Sequence, residues 1–99
     1  MISIEISTLG KSSLQDVSEF LLFLWNKDTL QKFIQTIDTS SNKLQKNPFL
    51  GKPYSKNIRK IILHKNASMF YEFNEEKQKI TILLFIDNRQ NPKDYLKLL

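Results

Sequence analysis

The stretch that most constrains the fold of this chain is Ile80 to Ile86, apolar at every position except Thr81. A short run of this kind is buried on both faces, and a strand buried on both faces belongs inside a sheet, with neighbours along both edges. Two strand-like segments precede it, IRKIILHK from Ile58 and SMFYEFN from Ser68. Together the three read as a meander that ends by delivering Asp87, Asn88 and Arg89 to the rim, where polar groups meet a ligand. The upstream chain then serves as cover for this sheet.

With 99 residues, 40% hydrophobic and 25% charged, the chain is expected to form one domain over residues 1–99 and not to be disordered. Cysteine is absent, which excludes disulfides, thiolate catalysis and cysteine metal sites together, and fits a cytoplasmic location. The longest strictly apolar run, FLLFLW from Phe20 to Trp25, is far too short to span a bilayer, so no membrane association is expected. Met1-Ile2-Ser3-Ile4 lacks the basic start of a secretory leader. One histidine and no glycine-rich phosphate loop leave neither a metal site nor a cofactor to expect.

The placement of charge says more than its total of +5. Residues 1–38 carry Lys11, Lys27 and Lys32 against Glu5, Asp16, Glu19, Asp28 and Asp38. Residues 39–71 carry Lys43, Lys46, Lys52, Lys56, Arg59, Lys60 and Lys65 without a single acid, and residues 72–99 balance to zero. This concentrated positive field suits a polyanionic partner, although most lysine clusters are simply solvated surface.

In chain order, Ile2, Ile4 and Ile6 alternate with polar residues as in a half-buried strand. Ser12 or Ser13 is expected to cap a first helix with apolar positions at Leu14, Val17, Phe20, Leu21, Leu24 and Trp25, and Leu22 and Phe23 add a second apolar side. A second helix is expected after a cap at Asp28, with Leu30, Phe33, Ile34, Ile37 and Leu44 buried and a weakened stretch at Asp38 to Asn42. Asn47-Pro48 should end it, and Pro48 to Asn57 reads as a loop. Hairpin turns are expected at Asn66-Ala67 and at Asn74 to Gln78, and a short C-terminal helix from Pro92, capped by Asn91. The expected class is α+β, in the order β-α-α-β-β-β.

The strand–helix–helix opening, NPFLG after the second helix, IRK entering a strand, FYEF in the next strand and LLFIDNRQNP at the end resemble the RelE/ParE toxins of bacterial type II toxin–antitoxin pairs. The resemblance runs from Ile4 to Leu98. It implies a helical hairpin packed on a mainly antiparallel sheet, and a cognate antitoxin as partner. Phe20, Phe23 and Trp25 are the apolar residues for antitoxin contact, with core packing as the alternative for Phe20 and Trp25.

Two mechanisms occur among such toxins, cleavage of mRNA on the ribosome and inhibition of DNA gyrase by binding. Cleavage through the 2′-hydroxyl requires a base, a proton donor and cations around the phosphate. The resemblance places Arg89 and Tyr95 in the catalytic positions, with Lys60 and Arg59 as the basic pair entering the first meander strand. Arg89 paired with Asp87 or Asp94, and Tyr95 packed beside Leu96 and Leu98, are the alternatives. Lys52, Lys56, Arg59, Lys60, His64 and Lys65 are candidates for RNA or anion contact. RelE-like nucleases usually carry an arginine just before the aromatic segment of the middle meander strand, where this chain has Ser68 and Met69. That departure and the long second helix point toward gyrase inhibition, and a non-toxic protein-binding module is a further alternative.

Overall fold

The computed structural model describes residues 1–24, 26–64, 67–87 and 99, without the side chains of Phe20, Leu21 and Leu24. The element order is β1 (Ser3–Ile6), α1 (Thr8–Leu24), α2 (Lys27–Lys46), β2 (Lys52–Ser55), β3 (Ile58–His64), β4 (Ala67–Asn74) and β5 (Lys79–Asp87). Two helices pack on a five-stranded sheet of order β1-β5-β4-β3-β2, antiparallel except where β1 runs parallel to β5. The α+β class and the helical hairpin on a mainly antiparallel sheet are therefore as expected. The structure adds the strand β2 inside the segment expected to be a loop. Pro53, which argues against a central strand, is tolerated here because β2 is an edge.

As its composition requires, β5 lies between β1 and β4. Its apolar run serves both faces through a bulge. Phe70 pairs with Leu84 but Tyr71 pairs with Ile82, so Leu83 is an extra residue. The insertion reverses the side-chain parity. Ile80 and Ile82 therefore share a core with Phe85, whereas Leu84 and Ile86 pack with Phe70 on the opposite face. Val17 of α1 and Phe33, Ile37 and Leu44 of α2 all join the Ile80 side, so the helices pack mainly on one face of the sheet, while Leu9 at the start of α1 packs on the Leu84 side.

β1 stops at Ile6, and α1 takes over the edge of β5 beyond that point. The Ser7 N–H donates to Ile82 O at 3.0 Å, its Oγ donates to Leu83 O at 3.3 Å, and the buried Ser13 Oγ accepts from Phe85 N–H at 2.9 Å. This corrects the expected helix start. Ser7 caps α1, its Oγ accepting from Gly10 N–H at 3.0 Å, and Ser13 is turned into the sheet instead of capping.

The cap of α2 is Asn26, which accepts from Thr29 N–H at 2.9 Å, and Asp28 sits in the first turn. The expected weakening at Asp38 to Asn42 does not occur. The buried stripe of Phe33, Ile37 and Leu44 bridges that stretch, and tertiary packing outweighs local propensity. The stripe is narrower than expected, with Leu30 half-buried and Ile34 41% exposed. The helix ends at Asn47, whose backbone is extended ahead of Pro48. The turn at Asn74 to Gln78 is present, with Lys77 N–H donating to Asn74 Oδ1 at 3.1 Å. Asn66 and the segment from Pro92 lie outside the described residues. No described helix is long and apolar enough to cross a membrane.

Candidate functional site

The seven basic residues of segment 39–71 divide by what the fold does with them. Lys43 and Lys46 occupy the last turn of α2, where positive charge complements the helix dipole. Lys65 lies outside the described residues. Arg59 is turned onto the segment that links α2 to β2: its Nη1 donates to Gly51 O at 2.8 Å and to Phe49 O at 3.2 Å. The guanidinium also lies 5.1 Å from the centre of the Phe49 ring, and that ring packs edge-on against Phe73 at 5.5 Å.

Tyr71 closes the same clasp from beneath. Its buried hydroxyl donates to Pro48 O at 2.9 Å and accepts from Gly51 N–H at 2.9 Å. Burial pushes the phenol pKa up, opposed by the Gly51 hydrogen bond and by the charge of Arg59. Gly51 is required by space. A Cβ there would lie 2.8 Å from Tyr71 Cε1 and 2.9 Å from its hydroxyl. The clasp thus fixes the chain as it enters β2, and with it the position of Lys52.

Lys52, Lys56 and Lys60 remain. Lys52 and Lys60 are direct partners across β2 and β3 and so share one sheet face, the face away from the helices. Lys60 Nζ lies 5.8 Å from the centre of the Phe70 ring. Beside them Tyr54 packs edge-on against the same ring at 4.8 Å, with 36% of its own surface exposed. The β2 register shifts between Pro53 and Ser55, which makes Tyr54 the extra residue of an edge bulge. Bulges re-aim side chains, and this one sets the phenol over Phe70. Among the described residues the ion pair is Glu5 with Lys79 at 2.7 Å, distant from this face. Glu72, opposite Ile58, is the nearest acid in register and lies diagonal to Lys60.

Lys56 is in the β2–β3 turn with φ 25°. It opens on a shallow depression with Arg59, Glu72, Glu75 and Glu76, where charge is mixed. His64 is half-buried at the far end of β3, roughly 13 Å from Lys60 at about 3.3 Å per residue. Phe23 is 87% exposed near the end of α1. Arg89, Tyr95, Trp25 and the Phe20 side chain lie outside the described residues. Ser68 and Met69, in the place of the expected arginine, are fully buried. The sequence reading missed Tyr54 and Tyr71. The alternation of Lys52 and Tyr54 around Pro53 was the available signal for the first, while nothing local marks the second.

No protein-family model matches the sequence, and no curated protein matches it. Solved structures do. A chain of the chromosomal ParDE TA system from P. aeruginosa superposes with a TM-score of 0.72 at 19% identity, over 88% of this chain and 96% of that one. A chain of the toxin–antitoxin complex RelBE2 from Mycobacterium tuberculosis gives 0.62 at 13% identity, over 87% and 96%. This protein has the RelE/ParE toxin fold. The isolated RelE toxin of E. coli extends the likeness to the whole of both chains, with a TM-score of 0.63 at 8% identity. At such identities the RelE/ParE likeness is one of backbone, and the side chains must argue their own chemistry.

Proposed function

We propose that this chain is the toxin of a type II toxin–antitoxin pair, a growth inhibitor neutralised by a cognate antitoxin. The observation that carries this reading is the superposition on the ParDE chain, which spans nearly all of both chains. The 87% exposure of Phe23 supports an antitoxin contact on α1. Expression of the chain alone in bacteria should arrest growth, and co-expression of the small neighbouring reading frame should restore it. Unimpaired growth at confirmed soluble levels refutes the toxin and leaves a protein-binding module.

Within that role the target is mRNA on the ribosome, and the protein is an endonuclease that works without metal. Support comes from the lysines left over once Arg59 has been committed to the clasp: Lys52 and Lys60 face one another with no acid paired to them among the described residues. Lys60 would neutralise the scissile phosphate, Arg89 would stabilise its developing charge, and Tyr95 would assist proton transfer.

A second reading, inhibition of DNA gyrase by binding, is favoured by two observations. Ser68 is buried where a nuclease would hold an arginine, and α2 runs unbroken for 20 residues. One induction experiment separates the readings by mapping mRNA 5′ ends and plasmid supercoiling in the same cells. Codon-phased cuts that vanish in Arg89→Ala support the nuclease. Intact message with altered supercoiling, and arrest that survives Arg89→Ala and Tyr95→Phe, assigns the toxin to gyrase.

A further inference from the structure

We infer that Tyr54, Lys52 and Lys60 form a contact platform for single-stranded RNA, with the phenol ring stacking a base and the two ammonium groups holding flanking phosphates. The inference rests on the RNA reading above and extends it to residues of the edge strand β2. Three features of this face carry it.

The first is the lysine pair. Directly opposed like charges on a sheet destabilise it, yet Lys52 and Lys60 are in register across β2 and β3. Their long stems let both ammonium groups reach neighbouring anions from one root. The second is the ring. Tyr54 is brought over Phe70 by the bulge, with the rings inclined at 71°. Phe70 is fully buried beneath it, so Tyr54 is held by one ring and presents surface to solvent. An aromatic flanked by cations is the arrangement by which unpaired bases are held independently of sequence. The third is the continuation of the face. Ile62, two residues beyond Lys60, is 67% exposed and offers apolar surface for an adjoining base or sugar. An acidic peptide would use the lysines, but a ring set between two cations matches the stacked base and flanking phosphates of unpaired RNA directly.

The test is fluorescence anisotropy of the purified full chain with a short unstructured RNA carrying 2′-O-methyl sugars, which cannot be cleaved. Tyr54→Leu keeps an apolar cover on Phe70 and removes the stacking surface. It should weaken binding about ten-fold, with Tyr54→Phe within about two-fold of wild type. Thermal melts identify a Tyr54 variant that loses its fold. Tyr54→Leu should leave the dependence of log affinity on log salt unchanged, while Lys52→Ala should lower that slope by about 0.7 for one lost phosphate contact. Wild-type affinity in folded Tyr54→Leu overturns the platform. So does a polyglutamate peptide that binds wild type more tightly than the RNA does while RNA affinity is indifferent to Tyr54→Leu, which assigns the face to an acidic protein segment. Growth arrest without Tyr54-dependent RNA binding refutes the platform and leaves the toxin standing. Tyr54-dependent RNA binding without growth arrest supports the platform and refutes the toxin.

Discussion

Removing the hydroxyl of Tyr71 is the sharpest perturbation the fold allows. Tyr71→Phe preserves the ring, which has no exposed surface, and deletes one oxygen that serves two backbone groups. Without it, Gly51 N–H and Pro48 C=O lose partners now at 2.9 Å each. An unsatisfied buried polar group costs about 1–3 kcal/mol, so the two together cost about 2–6 kcal/mol. A domain of this length is stable by only about 5–15 kcal/mol. In urea titrations followed by circular dichroism, the midpoint should therefore fall by about 1–3 M, at a slope of about 2 kcal/mol per M that stays unchanged. The same variant isolates an alkaline transition. Burial raises the Tyr71 pKa in the folded state, so the unfolded chain releases this proton first. The stabilising contribution is complete below the ordinary phenol value of about 10 and is lost as pH rises through the folded value. Wild type should thus lose more stability than Tyr71→Phe across that alkaline range. A loss below about 0.5 kcal/mol at neutral pH, the scale of an ordinary surface change, would refute the argument. It would mean that water replaces the hydroxyl and that the clasp does not depend on it.

Other outcomes follow from the same geometry. Arg59→Lys should destabilise almost as much as Arg59→Ala, by about 1–2 kcal/mol in the same titration, because an ammonium cannot reproduce the planar group that spans two carbonyls and a ring. Gly10→Ala would ordinarily stabilise a helix by about 1 kcal/mol. Here it should lower the melting temperature, because the new Cβ would meet Ile82 O at 2.8 Å. Reversing Lys52, Lys56 and Lys60 to glutamate should weaken binding to the anionic partner and flatten its salt dependence. A wild-type affinity indifferent to salt would show these lysines to be a solvated face. Lys52→Gln alone should leave the apo protein as stable or stabilise it by up to about 1 kcal/mol, since it relieves a like-charge pair.

Legibility in the sequence followed the range of the interaction. β5 could be read because burial on both faces leaves a continuous apolar run, and Asn47-Pro48 because the constraint acts between neighbours. The bulge at Leu83 left no mark, since one inserted residue inside an apolar run changes parity without changing composition. The cap at Ser7 was not legible because its partners, Ile82 and Leu83, are remote in sequence. The same distance hid the clasp. Arg59 read as a candidate for RNA contact, and only the folded chain brings Phe49 O and Gly51 O to it. Lys52 and Lys60 were both candidates from composition, but their register depended on β2, which Gly51 and Pro53 disguised as a loop.

The two faces of the β2–β3 pair therefore do different work with similar residues. Lysines on an edge strand also discourage pairing with other chains, and that alone would account for Lys52. It does not account for Lys60, which is on β3, a strand already paired on both sides and with no free edge to protect. Nor does it account for Tyr54, because an exposed aromatic on an edge invites the association that charge prevents. On the clasp face the arginine is tied by hydrogen bonds to two backbone carbonyls, and its fork geometry suits that fixed role. On the opposite face stand Lys52 and Lys60, point charges on flexible stems. The rigid cation holds the edge strand in place, and the adaptable ones are left facing outward from it.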